Sequence, residues 1–162
     1  MTTTKTGHGR GSAVQAIERS DYVTISLNNQ LLGIPVLSVH DVLSAQKITP
    51  VPRAPAAIAG VLNLRGRIVT AIDLRTRLHL PPRADGERSM SVVVEHRGES
   101  YSLLIDAVGE VLSLPVGQME RNPVTLDTCW QDVSAGIYRL DGELLVILDV
   151  GRLLDFGISA AA

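Results

Sequence analysis

The chain reads as a mainly β protein built from two similar small β units packed against each other. Three observations carry that reading. Apolar and polar residues alternate in short runs that end at Gly, Asn or Pro, as half-buried strands joined by turns do. The chain is 45% hydrophobic yet holds one Phe and one Trp, so its core must be Val, Leu, Ile and Ala. The same order of strands and turns also runs twice along 162 residues, a length that suits one domain or two small subdomains sharing a core.

Residues 1–20, polar and rich in Gly and Thr, are expected to form a flexible tail. From Tyr22, "YVTISLNNQLLGIPVLSVHDVLS" alternates around Asn28-Asn29 and reads as strand, turn, strand. "ITPVPRAPAAIAG" carries three prolines in six residues; it reads as a connector with one short helical turn after Pro55. "VLNLRGRIVTAIDL" gives strand, Arg65-Gly66 turn, strand, and the polar stretch 80–90 breaks the chain approximately in two. The pattern then restarts. "SVVVEHRGESYSLLIDAVGEVLS" turns near Arg97-Gly98, "LPVGQMERNPVTLDTCWQD" is irregular, and "AGIYRLDGELLVILDVGRLL" is the last hairpin before a tail at 158–162.

The repetition reaches individual residues. Val39-His40-Asp41-Val42-Leu43 matches Val108-Gly109-Glu110-Val111-Leu112, and Gly60, Leu64, Gly66 and Asp73 match Gly136, Leu140, Gly142 and Asp149 at one constant offset. Two units of this kind are each too small to bury much alone, so they are expected to pack together, and strands could be exchanged between them. Within this frame Arg65 stands where the second copy has Asp141, in an Asp-Gly pair suited to a tight hairpin. Arginine gives a turn no such help. It is either a solvated surface side chain or a group kept for binding.

No enzyme constellation emerges. His8, His40, His79 and His96 are dispersed without metal-ligand spacing, Cys129 stands alone beside Trp130, and no glycine-rich loop joins a strand to a helix. Neither cofactor nor metal is expected. Asp73, Asp106 and Asp149 each follow an apolar strand and could accept a phosphoryl group or shuttle protons. For Asp73 and Asp149, capping a following helical turn explains the equivalent positions more economically. A net charge of −2 with scattered basic residues argues against nucleic acid as a partner. The start lacks a secretory pattern and no apolar run could span a bilayer, so a soluble cytoplasmic protein without membrane insertion is expected.

What remains is surface. Val39, Asp41 and Leu43 occupy i, i+2 and i+4, as do Val108, Glu110 and Leu112, so each trio should share a face with an acid between aliphatics. Such a face is either a docking seam answered by an arginine or an edge strand whose acid deters aggregation.

In the order "YVTISLNNQLLGIPVLSVHDVL", "ITPVPRAPAAIAGVLNLRGRIVTAIDLR" and "YSLLIDAVGEVLSL", the chain resembles the CheW-like domain family of bacterial chemotaxis coupling proteins. The resemblance runs from about residue 21 to 157 and is most specific from Pro55 to Arg75. It implies two SH3-like five-stranded β-barrels packed through a shared core, short helices in the connectors, and no catalysis. It further implies an adaptor that joins a CheA-type histidine kinase, through that kinase's own CheW-like regulatory domain, to the cytoplasmic tips of methyl-accepting chemoreceptors. Recruitment to membrane-associated receptor arrays follows. Position by position, the resemblance places Arg65 and Asn63 of "NLRG", Val39, Asp41 and Leu43 of the preceding strand, Gly60 and Gly109 at or near the receptor contact. The kinase contact falls on the second subdomain, without named residues. The alternative within the family is a kinase-binding regulatory or decoy module: one like CheV without its receiver, or an auxiliary coupling protein of a non-motility pathway.

The sequence departs from the family pattern in three places. Asp41 is one methylene shorter than the usual Glu, Thr70-Ala71 replaces a common proline before Ile72-Asp73, and Cys129-Trp130 lies where little pattern exists. Trp130 is either an interface anchor or part of the core.

Overall fold

The computed structural model describes residues 17–44, 46–84 and 89–155. The tails at 1–16 and 156–162 lie outside the described residues. Strands β1 (Arg19–Leu27) and β2 (Gln30–Pro35) form a hairpin, and β3 (Val39–Ser44) follows a short 3₁₀ turn at Val36–Ser38. Next come the hairpin β4 (Ile58–Leu64) and β5 (Arg67–Asp73), helix α1 (Leu74–Arg77), and the hairpin β6 (Met90–His96) and β7 (Glu99–Ile105). The chain ends with β8 (Ala107–Pro115), helix α2 (Thr128–Gln131), β9 (Ser134–Leu140), β10 (Glu143–Leu148) and helix α3 (Val150–Leu153).

These strands make two five-stranded sheets of the same design, ordered β8-β1-β2-β10-β9 and β3-β6-β7-β5-β4. The expected mainly β architecture is there, with helices of one turn. The sheets are not the two halves of the sequence. β3 to β7 form one sheet from a continuous stretch, while both ends of the chain combine into the other. The stretch 80–90 therefore links α1 to β6 within one unit, and the exchange of hairpins between the repeats is complete. The physical reason is pairing. β2 lies parallel to β10, and β5 parallel to β7, so each hairpin completes the sheet begun by the other repeat.

Burial follows the period-2 alternation. On β1, Val23, Ile25 and Leu27 enter a central core shared by both sheets, while Tyr22 points the opposite way. On β10, Val146 and Leu148 enter the shared core, whereas Leu145 and Ile147 join Tyr22 and Tyr138 inside the first sheet's own cluster. Leu62, Val69 and Ala71 form the smaller cluster of the second sheet. That sheet curls into a barrel, because the β4–β5 turn at one edge touches β3 at the other. An extra pair, Thr49 with Val61, covers β4, and its counterpart, Glu120 with Ile137, covers β9.

Local readings are refined in three places. β1 begins at Arg19, inside the span read as tail, since the Arg19 guanidinium donates to Ser113 Oγ and the Ser113 carbonyl. The helical turn after Pro55 is a single reverse turn, with Ile58 N–H donating to the Pro55 carbonyl at 2.9 Å. Trp130 is buried in the shared core and so anchors the fold rather than an interface. Cys129 packs beside it, half-buried, and burial pushes its thiol pKa up.

Candidate functional site

Arg65 opens a tight turn with φ 54°, followed by Gly66 at 82°. Left-handed backbone costs a side-chain-bearing residue about 1 kcal/mol, and Asn63 offsets part of this by accepting from the Gly66 N–H at 3.0 Å. In the second copy Gly142 takes φ 85° while Asp141 stays out of the left-handed region. The favoured Asp-Gly pair thus closes its hairpin with one left-handed residue, and the unfavoured Arg-Gly pair with two. Arg97-Gly98 repeats the second geometry with φ 52° and 80°, so backbone shape alone does not single out Arg65.

Its surroundings do. The Arg65 side chain is 77% exposed, yet its Nη2 stands 2.8 Å from Asp41 Oδ2. Asp41 projects from β3 on the half-buried side shared with Val39 and Leu43, as the sequence spacing required. Its Oδ1 accepts from the Val42 N–H at 2.9 Å; Oδ2 is sealed from solvent and, despite its closeness to Arg65, accepts no aligned hydrogen bond. The shorter acid thus reaches the arginine without the paired geometry that makes such contacts strong, leaving a pair worth about 0–1 kcal/mol. Arg65, Asn63 and Asp41 therefore form one corner: a cation held out from the tip of a hairpin, above an acid set among aliphatics.

Gly60 serves this corner from below. A Cβ there would lie 2.2 Å from the Thr49 carbonyl oxygen, and φ is 149°. The close approach lets Thr49 and Val61 exchange N–H and carbonyl at 2.8 Å each, which holds the connector against β4. Gly136 repeats the arrangement under Glu120. Gly109 lies on β8 in the other sheet, where a Cβ would meet Thr24 Oγ1 at 2.6 Å and disturb that hydroxyl's bond to the Glu110 carbonyl. No contact joins Gly109 to the Arg65 corner among the described residues.

The two trios behave differently. Val39, Asp41 and Leu43 keep one face although the β3–β6 register shifts between Val39 and Asp41. In the second copy the matching irregularity, opposite Thr24, leaves Glu110 exposed with half-buried Val108 and Leu112 on either side. Charge also reverses between the copies. The first hairpin tip bears Arg65 and Arg67, the second Asp141 and Glu143.

The apolar-strand aspartates are structural. Asp73 Oδ1 caps α1 by accepting from the Arg75 N–H, and Asp149 Oδ1 caps α3 by accepting from the Arg152 N–H. Asp106 does something the sequence did not announce. It accepts from the Arg75 guanidinium at 3.0 and 2.7 Å, from Arg83 at 3.1 and 3.0 Å, and from the Asn28 N–H at 2.8 Å. Arg75 is buried and also donates to the Pro81 carbonyl. This cluster ties α1, the first hairpin and the β7–β8 junction together across the seam between the sheets. A second tie crosses from α1, where the Arg77 guanidinium donates to the Leu153 and Arg152 carbonyls at the end of α3.

Burial alone would raise the Asp106 carboxyl, but the hydrogen bonds from Arg75, Asn28 and Arg83 outweigh it and bring its pKa to about 2. A depressed carboxylate adds stability above the unfolded pKa near 4 and loses it as pH falls toward the folded one. The stability difference between the wild type and Asp106→Asn should therefore hold above pH 5 and shrink by about 1–2 kcal/mol by pH 2, allowing for solvent at the rim of the site. Urea titrations of both proteins across that range measure it; a constant difference would show that Asp106 is not the titrating group.

The fold and its surface define a class: a duplicated β-barrel module whose polar features are caps, interlocks and exposed ion pairs. The family follows from comparison. The CheW-like domain model matches residues 21–156, nearly all of the described chain, and the chain belongs to that family of chemotaxis scaffold proteins. It is 31% identical over 143 residues to chemotaxis protein CheW of Bacillus subtilis, covering 86% of this chain and 90% of that one. It is 28% identical over 134 residues to chemotaxis protein CheW of Klebsiella aerogenes, covering 83% and 81%. The crystal structure of the scaffolding protein TtCheW from Thermoanaerobacter tengcongensis superposes with a TM-score of 0.76 at 31% identity, over 86% of this chain and 94% of that one. No helix among the described residues is long and apolar enough to cross a membrane.

Proposed function

We propose that the protein is a non-catalytic adaptor that couples methyl-accepting chemoreceptor tips to a CheA-type histidine kinase, and that the Arg65 corner is part of its receptor-facing surface. The observation that carries the assignment is Arg65 itself: a permanently charged side chain on strained backbone, three-quarters exposed and only loosely held by Asp41. A side chain placed this way adds little to folding and is available to a partner. Val39, Asp41 and Leu43 would line the contact beneath it, with Asn63 and Gly60 shaping the hairpin; Gly109 would act from the neighbouring sheet. The kinase-facing surface belongs to the other barrel. The charge of its hairpin tip supports it: Asp141 and Glu143 set that barrel apart from the basic Arg65 corner, so two partners could take different ends of the molecule, as a heterologous assembly requires.

Arg65→Ala should unfold within about 0.5 kcal/mol of the wild type while lowering receptor-dependent kinase activation at least severalfold. A reconstituted assay with receptor, kinase and adaptor, read beside a urea titration, measures both. Unchanged activation removes Arg65 from the surface, and a wild-type protein that binds the kinase without supporting receptor-stimulated activity would favour the decoy reading over the coupling one.

A further inference from the structure

The two copies do not close their seams in the same way. Asp106, two residues before Val108, corresponds to Leu37, two residues before Val39; Arg75, two after Asp73, corresponds to Gly151, two after Asp149. The site that holds a buried guanidinium against a carboxylate in one copy thus holds glycine and an almost fully exposed leucine in the other. The structure is open there. A cleft of about 420 Å³ lies at Gly151, floored by Tyr22, Ile147 and Val150 and rimmed by Glu95, His96 and Asp149. Three of its lining residues hold the frame positions that precede Arg75 in the other copy: Asp149 for Asp73, Val150 for Leu74, and Ile147 for Ala71.

We propose that this cleft is a slot for an arginine side chain presented by a partner protein, filling from outside the place that Arg75 fills from within. The chemistry matches. A guanidinium stem packs on apolar floor while its planar head meets carboxylates at the rim. At the rim, Glu95 pairs with His40 at 3.3 Å, both about half exposed, and Asp149, whose Oδ1 caps α3, lies 3.6 Å from the Arg152 side chain through Oδ2. Each of these pairs can exchange for a better-aligned guanidinium at small cost. A Cβ on Gly151 would stand 3.3 Å from Asp149 Oδ1 and 3.5 Å from His96 Cε1, both side-chain atoms, so a side chain there asks the Asp149 carboxylate to give by a few tenths of an ångström.

The proposal rests on the adaptor reading for its partner but not for its test. The full chain is titrated with N-acetylarginine amide and followed by backbone amide NMR. Saturable shifts should gather at Ser38, His96 and Gly151, be at least threefold weaker for the uncharged isostere N-acetylcitrulline amide, and vanish in Gly151→Arg, which fills the slot internally. Absent or dispersed shifts, equal citrulline binding, or unchanged shifts in Gly151→Arg would each overturn it. Gly151→Ala, which leaves the slot open, should fold and keep the shifts. Because no partner protein is present, failure here leaves the Arg65 experiment untouched, and failure there leaves this one standing.

Discussion

Asp106→Ala should destabilise the protein by about 3–5 kcal/mol, the range seen when one partner of a buried ion pair is removed. The loss comes less from the attraction forfeited than from what stays behind. Arg75 is 8% exposed, and without Asp106 its charge sits in the seam with both carboxylate acceptors gone. Arg83 and the Asn28 N–H lose the same carboxylate. A double replacement, Asp106→Leu with Arg75→Met, should recover most of the loss, since apolar residues of similar volume avoid the desolvation that the ion pair must offset. Urea denaturation of the single and double variants measures both quantities. A single-variant loss below about 1 kcal/mol would mean that the cluster is surface decoration rather than an interlock.

Gly60→Ala is expected to be comparably severe, at about 2–4 kcal/mol, for a different reason. The new methyl would overlap the Thr49 carbonyl, a backbone atom that cannot rotate aside, and would occupy a backbone region that side chains disfavour. The exchange of hydrogen bonds between Thr49 and Val61 would break, and with it the cover over β4. Partner binding should fall in proportion to the folded fraction. Measuring binding with folded protein at low temperature separates the causes: a Gly60→Ala protein that stays fully folded and still fails to bind would show that the glycine itself faces the partner. This distinguishes it from Arg65, whose replacement should act on binding alone.

The strands, their turns and the repeat frame were legible because each rests on local pattern. Alternation along β1 and β10, turn chemistry at Asn28-Asn29, and the caps at Asp73 and Asp149 all act within a few residues. The Arg65 corner was half legible: β-strand periodicity put Val39, Asp41 and Leu43 on one side, but only the curl of the sheet brings Arg65 to Asp41. Two features escaped. Asp106 looked like Asp73 and Asp149, an aspartate after an apolar strand, and its partners lie far off at Arg75, Arg83 and Asn28, joined by folding alone. Exchange of strands between the repeats was open in the sequence, but which hairpins change sheets was hidden, since the repeat in sequence is not the unit in space. One signal was available: Arg75 and Gly151 occupy one frame position, and so large a difference in volume must be answered somewhere in the fold.

The nesting of one sheet's strands between those of the other has a consequence for synthesis. β3 to β7 can close into a barrel as soon as that stretch clears the ribosome, whereas the earlier hairpin must wait for β10, the last strand made. At roughly 5–20 residues per second, β1 and β2 spend seconds with their apolar faces uncovered, Ile25, Leu32 and Ile34 among them. The inner barrel can screen part of that surface before the outer one exists. The order of translation thus assigns the Arg65 corner to the part of the molecule that matures first.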